Sequence, residues 1–565
     1  MPTSFRRIIR SEGRIRSLLG YAALLVVPPL LMLLAIATKF QGFQTAAAMD
    51  HAQLARHLAD GDGFITSVIR PLSLVFQADV TGHPDLYNAP LHPLVLAFFF
   101  QLAHPGDRVT AAVGSILWIF SVWVTYIVAR RWFGRNVAAL AALFWICNAA
   151  GIASSIEGLA NPLMAIAVTL SAWVAVPTFT DDGQAFPERL PPWRVLLLGV
   201  VCGLALLTHY ALIVITVAMA VHLLVTQQRK WRSLLLFGAG FFLATLPWMI
   251  RNARVGAPVL GIYWYELLTN TGNYPGDAVW RRLTLPPGPL VFAVGHPFQL
   301  LRKLVLGLAE IRAGIFTVVD PVVAFLFLTA VFAFRNSQRR RHLANIILGG
   351  FVLGVITISL LRVEPGFLLA WTPLLGVLGA AQLVGWVHQY LGRAPAPEEP
   401  KIPPAGAKHK SSRRSALGRL GAALPWSRVG AYALVIGAVV FPLAFYFLVA
   451  RPPAGPKARD EFRPVAARLP DGAVVMTDQP APLAWYTDHL SVLLVQHEQE
   501  LDSYERVLGA VDAFLVTPAI TQLTTQERGD WWSWIAASRG VYHGLTPAER
   551  MPPNMLLRLR HEAQP

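Results

Sequence analysis

The chain has 565 residues, of which 55% are hydrophobic and only 14% are charged. This composition excludes a soluble globular protein and indicates a membrane protein that crosses the bilayer several times. The formal net charge of +16 comes from short blocks of arginine and lysine beside apolar runs. Such blocks fit membrane topology and anionic lipid headgroups better than they fit nucleic acid.

Apolar runs near the length of about 20 residues needed to cross a bilayer as a helix recur along most of the chain. The positive-inside rule places the cationic blocks, such as Arg130 to Arg135 and Arg229 to Arg232, on the cytoplasmic side. We therefore predict a polytopic α-helical membrane protein of about eleven spans, with residues 1–16 cytoplasmic and the C-terminus extracytoplasmic. The predicted spans cover roughly residues 17–38, 109–129, 136–153, 160–177, 194–208, 211–226, 233–249, 316–334, 343–361, 367–388 and 429–449.

The first outer loop, at about residues 39–108, carries two helical patterns. Ala46 to Asp60 has the pattern of a short amphipathic helix, which Gly61 and Gly63 end. Leu91 to Ala103 is apolar but only about 13 residues long, so we predict a helix half-sunk in the membrane. The alternative is a true crossing, which would reverse the sides of all later spans.

The rest of the chain divides by composition. A large outer loop covers about residues 250–315, and residues 391–428 form a basic cytoplasmic linker rich in proline, alanine, lysine and arginine. Beyond Arg451, short apolar strands near residues 473–477, 491–495 and 513–517 alternate with helical patterns. They predict a small extracytoplasmic α/β domain over residues 451–565, to which no motif assigns chemistry.

Two acidic residues lie close to predicted membrane spans, where a charge is costly unless it has a partner or a function. Asp50 lies about one turn past the first predicted membrane exit, and Glu157 is the lone carboxylate between the third and fourth predicted spans. Converging carboxylates suit a site where one takes a proton from an attacking hydroxyl and the other orients the acceptor or holds a cation. The two predicted catalytic residues would also be the ligands of any divalent cation. The alternative for Glu157 is a helix-capping role.

Other polar residues of the outer side complete the predicted site. Arg251 and Arg362 end spans at the outer boundary, against the positive-inside trend, and a guanidinium fork suits a phosphate; the alternative is snorkelling to headgroups. His209 and Tyr210 fill a tight outer turn, where they would bind phosphate or satisfy the turn. The first loop offers an acceptor or loop site formed by His51, His83, Asp85, Asn88 and His92.

Five stretches in this order resemble the GT-C superfamily of membrane glycosyltransferases, in particular the protein O-mannosyltransferase-like branch that includes the lipid A aminoarabinose transferases. They are Asp50 to Phe64, Asn88 to Leu94, Ala129 to Gly134, Glu157 to Leu163 and Pro247 to Asn252. The resemblance covers about residues 15–390, and residues 17–390 would form the catalytic membrane module. The sequence departs from the family at His51, which follows the first acid where relatives carry a second one, at Glu157, where many relatives have Asp, and near Ala89 and His92, where a lysine is usual.

The resemblance implies a multi-pass enzyme of the plasma (inner) membrane with a polyprenyl-phosphate sugar donor and inversion at the anomeric carbon. An acceptor hydroxyl of a lipid, glycan or protein would arrive from the outer side. Asp50 would be the general base, Glu157 an acceptor-orienting acid, and Arg251 with Arg362 would hold the phosphate leaving group. No cofactor is required, and a divalent cation is left open.

Two other functions are compatible with several spans. A lipid or glycan transporter would place charges near the bilayer midplane and would have broken helices or repeated halves. The acids here lie in predicted loops and no internal repeat is visible, which favours the enzyme. The third possibility is a scaffold whose outer α/β domain binds a partner. It is less favoured, because it does not account for the large first loop.

Overall fold

The protein is described by a computed structural model over residues 3–176, 190–333, 338–391, 426–450, 458–497, 500–509, 511–522, 549–551 and 555–560. Most of the predicted basic linker, residues 392–425, lies outside these ranges, as do parts of the C-terminal segment.

The first half of the described chain is almost entirely helical. Its helices are α1 (Thr3–Thr38), α2 (Ala46–Asp60), α3 (Pro71–Leu74), α4 (Leu91–Leu102), α5 (Asp107–Phe133), α6 (Arg135–Ile146), α7 (Ala149–Ile156), α8 (Asn161–Ala175), α9 (Pro192–Thr208), α10 (Ile213–Thr226) and α11 (Lys230–Arg254).

The second half adds α12 (Pro289–Gly295), α13 (Pro297–Val318), α14 (Pro321–Ala333), α15 (Gln338–Leu360), α16 (Thr372–Leu391), α17 (Trp426–Leu448), α18 (Ala458–Ala466), α19 (Pro480–Thr487) and α20 (Leu501–Leu508). Its strands, with one from the first half, are β1 (Val68–Ile69), β2 (Val474–Thr477), β3 (Leu490–Leu493), β4 (Ala513–Val516), β5 (Glu549–Met551) and β6 (Met555–Leu559).

Within the described residues, five helices are long and apolar enough to cross a membrane: the apolar parts of α1, α15 and α17, and α5 and α11. Two further pairs meet the same criteria together but are bent, α6 with α7 by 57° and α13 with α14 by 109°. The chain is therefore a multi-pass helical membrane protein. The predicted number of about eleven spans is not confirmed, because in the described ranges several of the predicted spans are short helices or bent pairs.

Local capping explains both breaks. The Asn148 side chain begins α7 by accepting a hydrogen bond from Gly151 N at 2.6 Å. Asp320 begins α14 in the same way, with Val322 N 2.8 Å from its Oδ1 and Pro321 at the first helical position. Asn148 Nδ2 also donates to Val318 O at 2.8 Å, so a hydrogen bond joins the start of α7 to the end of α13.

The sheet joins the first loop to the C-terminal segment. Its order is β1-β3-β2-β4-β6-β5, with β1, β3, β2 and β4 parallel and β6 antiparallel to both β4 and β5. The pairing of Val68 with Ser491 brings together residues that are far apart in the chain. The C-terminal segment therefore does not form its sheet alone, because one edge strand comes from the first loop.

The predicted surface helix in the first loop is present as α4. Its buried face, which includes Leu96 and Phe100, packs in one apolar cluster with α2 and with Trp485 of α19. Leu94, Phe98 and Leu102 on its other side are exposed. The helix thus has one apolar face in the protein and a second apolar face that is free to meet lipid.

Candidate active site

A cavity of about 300 Å³ lies between the first loop, the turn after α9, the segment after α15 and the C-terminal sheet. Six of the predicted site residues line it: Asp50, His51, Asn88, His209, Tyr210 and Arg362. Arg70, Tyr87, Tyr263, Glu266, Asp277, Trp280, Glu364, Asp478 and Gln479 line it as well. The predicted acid and one predicted arginine therefore share a single cavity.

Asp50 lies in the first turns of α2 and is 4% exposed. Its Oδ2 accepts hydrogen bonds from Arg70 Nη2 at 2.6 Å and from Asn88 Nδ2 at 3.0 Å. Gln53 Nε2 donates to its Oδ1 at 3.1 Å. Burial opposes ionisation of this carboxyl, but the charge and hydrogen bond of Arg70, with the bond from Asn88, hold its pKa below the ordinary value. Asp50 is thus a buried, ionised carboxylate at the cavity wall.

Arg70, which the sequence alone does not mark as a site residue, is the ion-pair partner of Asp50. It directly follows β1, and its guanidinium lies 4.1 Å from the centre of the Tyr87 ring. Its Nη1 is 3.9 Å from Asp85 Oδ2. The available signal was an arginine just after a short β-branched pair in a loop that the positive-inside rule assigns to the outer side.

Asp85 lies behind this pair and organises the turn that carries Asn88. Its Oδ1 accepts from Tyr87 N at 3.1 Å and from Asn88 N at 2.7 Å, and Asn88 Nδ2 is 3.1 Å from its Oδ2. Burial, and then the charge of Asp50, raise the pKa of Asp85. The two first-loop acids are therefore pushed apart in pKa, with Asp50 the more acidic.

The opposite wall is built around Glu266, in the 3₁₀ helix Tyr263–Leu267. Tyr87 Oη donates to Glu266 Oε1 at 2.7 Å, and Arg362 Nη1 is 3.9 Å from the same oxygen. Arg362 also pairs with Glu364 at 3.2 Å and remains 52% exposed. Burial raises the pKa of Glu266, although Arg362 and Tyr87 oppose the shift. Arg362 is thus the more open of the two guanidiniums in the cavity.

The C-terminal segment closes the cavity with Asp478 and Gln479, at the carboxyl end of β2. Thr517, beyond β4, donates to Asp478 through its backbone N at 2.8 Å and its Oγ1 at 2.7 Å. Burial raises the pKa of Asp478 to about 6. The carboxyl ends of the parallel strands therefore meet the cavity, which is where open α/β sheets commonly bind ligands.

The prediction that Arg251 faces the phosphate is not supported by its position. Its Nη1 donates to Asp85 O at 2.7 Å and its Nη2 to Phe64 O at 2.7 Å, while the guanidinium lies over the Trp248 ring. Arg251 does not line the cavity. Because its donors are used on loop carbonyls, it ties the first loop to α11.

The structure does not bring Glu157 together with Asp50. Glu157 follows the last residue of α7 and lines a second cavity, with Lys39 and Tyr446. It does not begin α8, whose N-cap is Ala160, so the capping alternative is also wrong. The bend after α6 redirects α7, and Asp50 and Glu157 consequently cannot share a cation in this arrangement. In the described ranges, no group of three or more His, Cys, Asp or Glu residues is placed to hold a metal ion.

The remaining predicted residues differ in their surroundings. His83 is internal to the loop, hydrogen-bonded to Ser73 Oγ at 2.7 Å and to Asp79 O at 2.8 Å. His92 is fully buried, with its ring centre 5.1 Å from that of His51. Among the residues that the structure describes, neither histidine has a hydrogen-bond partner at Nδ1. His209 Nδ1 accepts from Ala211 N, and Tyr210 Oη accepts from Trp248 Nε1 at 2.8 Å. His209 thus satisfies the turn, whereas Tyr210 links the turn to α11 and the first loop, and both line the cavity.

Known proteins resemble this chain in part of its sequence and in its fold. The dolichyl-phosphate-mannose-protein mannosyltransferase family matches residues 83–250. The crystal structure of ArnT from Cupriavidus metallidurans bound to undecaprenyl phosphate has a similar fold, with a TM-score of 0.54 at 15% identity, over 96% of this chain and 98% of that one. The apo oligosaccharyltransferase of Archaeoglobus fulgidus gives 0.51 at 13% identity, over 96% and 75%. The predicted resemblance to the GT-C membrane glycosyltransferases is confirmed.

The amino-acid sequence is also similar to that of one particular enzyme. The undecaprenyl phosphate-alpha-4-amino-4-deoxy-L-arabinose arabinosyl transferase 1 of Pseudomonas fluorescens (strain Pf0-1) is 32% identical over 204 residues. That match covers 35% of this chain and 34% of the relative, so it spans about a third of the relative's length.

Proposed function

We propose that this protein is an inverting glycosyltransferase that moves a sugar from a polyprenyl-phosphate donor to an acceptor hydroxyl. The observation that carries the proposal is one cavity in which a buried carboxylate, Asp50, is held by Arg70 while a second guanidinium, Arg362, remains open. A base and two phosphate-binding forks are the groups that this transfer needs.

The proposed reaction assigns a step to each group. The acceptor oxygen attacks the anomeric carbon while Asp50 takes the hydroxyl proton. The bond from the anomeric carbon to the phosphate oxygen breaks, and polyprenyl phosphate leaves with the bonding electrons. Arg70 keeps donors beyond the one given to Asp50, since a guanidinium has five N–H groups, and with Arg362 it stabilises the departing phosphate. Arg70 thus replaces Arg251 in the role expected from the sequence.

The charge of the cavity supports a donor with an amino-substituted sugar. Five carboxylates, Asp50, Glu266, Asp277, Glu364 and Asp478, face two guanidiniums, Arg70 and Arg362. An ammonium group on the sugar would offset this excess of negative charge. The name of the Pseudomonas relative, which specifies a 4-amino sugar, supports the same choice. A divalent cation carried with the phosphate would act in the same direction, and a chelator titration distinguishes the two.

We further propose that the protein lies in the inner membrane with a cytoplasmic N-terminus. The cavity and the C-terminal segment would then face the outer side, where a lipid, glycan or protein supplies the hydroxyl. The cationic blocks between the apolar helices support this orientation.

The second candidate function is transport of a lipid or glycan without sugar transfer. It is suggested by the two bent helix pairs, because transporters often contain broken helices. The charges of the cavity, however, lie in loops and at helix ends, which favours the enzyme.

Replacing Asp50→Asn tests the proposal. We expect sugar transfer from an undecaprenyl-phosphate amino-sugar donor to fall by at least about a thousandfold, since the base is lost, while the protein still folds in detergent. The assay measures released undecaprenyl phosphate, with a neutral-sugar donor as the comparison substrate. Wild-type turnover in the variant would refute the role of Asp50. Movement of the intact donor across the bilayer without sugar transfer, in the unmodified protein, would favour the transporter.

A further inference from the structure

The second cavity, of about 210 Å³, lies at the ends of α1, α7 and α17. It is lined by Lys39 just after α1, by Glu157 just after α7 and by Tyr446 and Ala450 at the end of α17. Lys39 and Glu157 are its two charged lining residues, and their charges are opposite.

The position of the cavity is set by two helices that meet lipid. Only 17% of the apolar window of α1 and 6% of that of α17 are buried in the protein. Large apolar side chains such as Leu30 and Leu33 on α1 and Phe441 on α17 are exposed. A cavity between the ends of these helices is at the level of the membrane boundary, where tyrosine and lysine are typical residues.

Glu157 is the acidic residue of this cavity. Among the residues that the structure describes, no hydrogen bond or ion pair reaches its side chain, and burial raises its pKa. The carboxylate also follows the C-terminal end of α7, where the helix dipole disfavours negative charge. Such a group is stabilised by a cationic ligand that can donate hydrogen bonds.

Lys39 is the cationic residue of the same cavity. Its Nζ donates to Ala450 O at 2.6 Å and lies 5.4 Å from the centre of the Tyr446 ring. It forms no ion pair with Glu157, so the two charges stand apart on the cavity wall. An ammonium has three donors, so Lys39 keeps donors for an anion. A ligand that carries a cation and an anion within one small headgroup therefore fits between them.

We propose that this cavity binds the headgroup of a zwitterionic phospholipid with a primary amine, with the ammonium on Glu157 and the phosphodiester on Lys39. The acyl chains would run along the exposed apolar faces of α1 and α17. The cavity volume of about 210 Å³ leaves room for a headgroup of this class. This site is separate from the cavity of Asp50, and the proposal does not depend on the proposed function.

The test is lipid binding by the full chain in detergent, measured by native mass spectrometry. We expect phosphatidylethanolamine to be retained about tenfold better than phosphatidylcholine, whose quaternary amine has no N–H, and than phosphatidylglycerol, which has no cation. Glu157→Gln should abolish this preference, and Lys39→Gln should weaken all three lipids. The matched control is Glu310→Gln, which removes an exposed acid of α13 and should change nothing.

Three results would overturn the assignment. They are equal retention of the three lipids by the unmodified protein, an unchanged preference in Glu157→Gln, or displacement of phosphatidylethanolamine by undecaprenyl phosphate. The last result would indicate that the cavity binds the polyprenyl-phosphate donor instead of a phospholipid. Asp50→Asn, which tests the proposed function, should leave this lipid binding intact, so the two hypotheses fail separately.

Discussion

Arg70 changes the chemistry expected of Asp50. An isolated carboxylate in a buried site would have a raised pKa, whereas the guanidinium at 2.6 Å and the amide of Asn88 lower it. Asp50 therefore stays ionised and ready to accept a proton, at the cost of being a weaker base. The adjacent phosphate would draw Arg70 toward itself in the reaction, and Asp50 would become more basic at that moment.

Arg70→Gln should reduce sugar transfer by at least about a hundredfold, or about 3 kcal/mol of transition-state stabilisation. Arg70→Lys keeps the charge without the fork and should retain intermediate activity. Initial rates with the donor saturating provide the measurement. If Arg70→Gln transfers sugar at the unmodified rate, Arg70 is only a structural partner of Asp50. In the double variant Asp50→Asn/Arg70→Gln, the carboxylate closest to Arg70 is removed together with it, so we expect this variant to be more stable than Arg70→Gln alone.

Asp478 makes stability depend on pH. Burial raises its folded pKa to about 6, above the value near 4 of an unfolded chain, so the folded state binds more protons between these pH values. The stabilising contribution is complete below about pH 4 and is lost as the pH rises to about 6, to a total on the order of 3 kcal/mol. Thermal unfolding of Asp478→Asn and of the unmodified protein from pH 4 to 8 provides the measurement. We expect the Tm of the unmodified protein to fall relative to the Tm of Asp478→Asn over this window. A difference that is independent of pH would contradict the burial of an ionisable Asp478.

At the scale of elements, the pairing of β1 with β3 positions Arg70. Ser491 N donates to Ser67 O at 2.8 Å, and this bond holds the edge strand that ends just before Arg70. Ser491→Pro removes that donor, whereas Ser491→Ala keeps it. We expect the proline variant to lose most transfer activity and the alanine variant to keep most of it, both measured as initial rates. Equal activities would mean that Arg70 is positioned without the strand.

The elements with local signals were predicted well. The helix expected over residues 46–60 is α2, and Gly61 ends it in the left-handed conformation, at a φ of 92°. The apolar run from Leu91 is α4, and the strand expected at residues 473–477 is β2. Each depends on periodicity and turn residues that a short window contains.

The contacts that decide the site were not predictable in this way. Arg70 meets Asp50 because β1 pairs with a strand some 420 residues later, and no local pattern reports such a contact. Arg251 was correctly noticed as an unusual charge, but its partners are backbone carbonyls of Phe64 and Asp85, which every residue type has. Glu157 was expected near Asp50 because both fall in predicted outer loops, but the side of the membrane does not fix a position within it, and Glu157 lines another cavity after the bend between α6 and α7.

At the scale of the whole molecule, the cavity exists only where the membrane helices and the C-terminal segment meet. Arg56 of α2 donates to Trp485 O at 3.2 Å and pairs with Asp488 at 2.6 Å, which fixes α19 against the helix of Asp50. Trp485 Nε1 in turn donates to Asp107 at the start of α5. The C-terminal segment, to which the sequence assigned no chemistry, thus holds one wall of the cavity and contributes Asp478 and Gln479 to it.

In the proposed mechanism, the phosphate of a polyprenyl donor binds between Arg70 and Arg362, facing Asp50. An experimental structure of the full chain with undecaprenyl phosphate would test this position. We expect phosphate density within hydrogen-bonding distance, about 3 Å, of both guanidiniums, with Arg251 still bound to the loop carbonyls. Phosphate density held by Arg251, or bound in the cavity of Lys39 and Glu157, would contradict it.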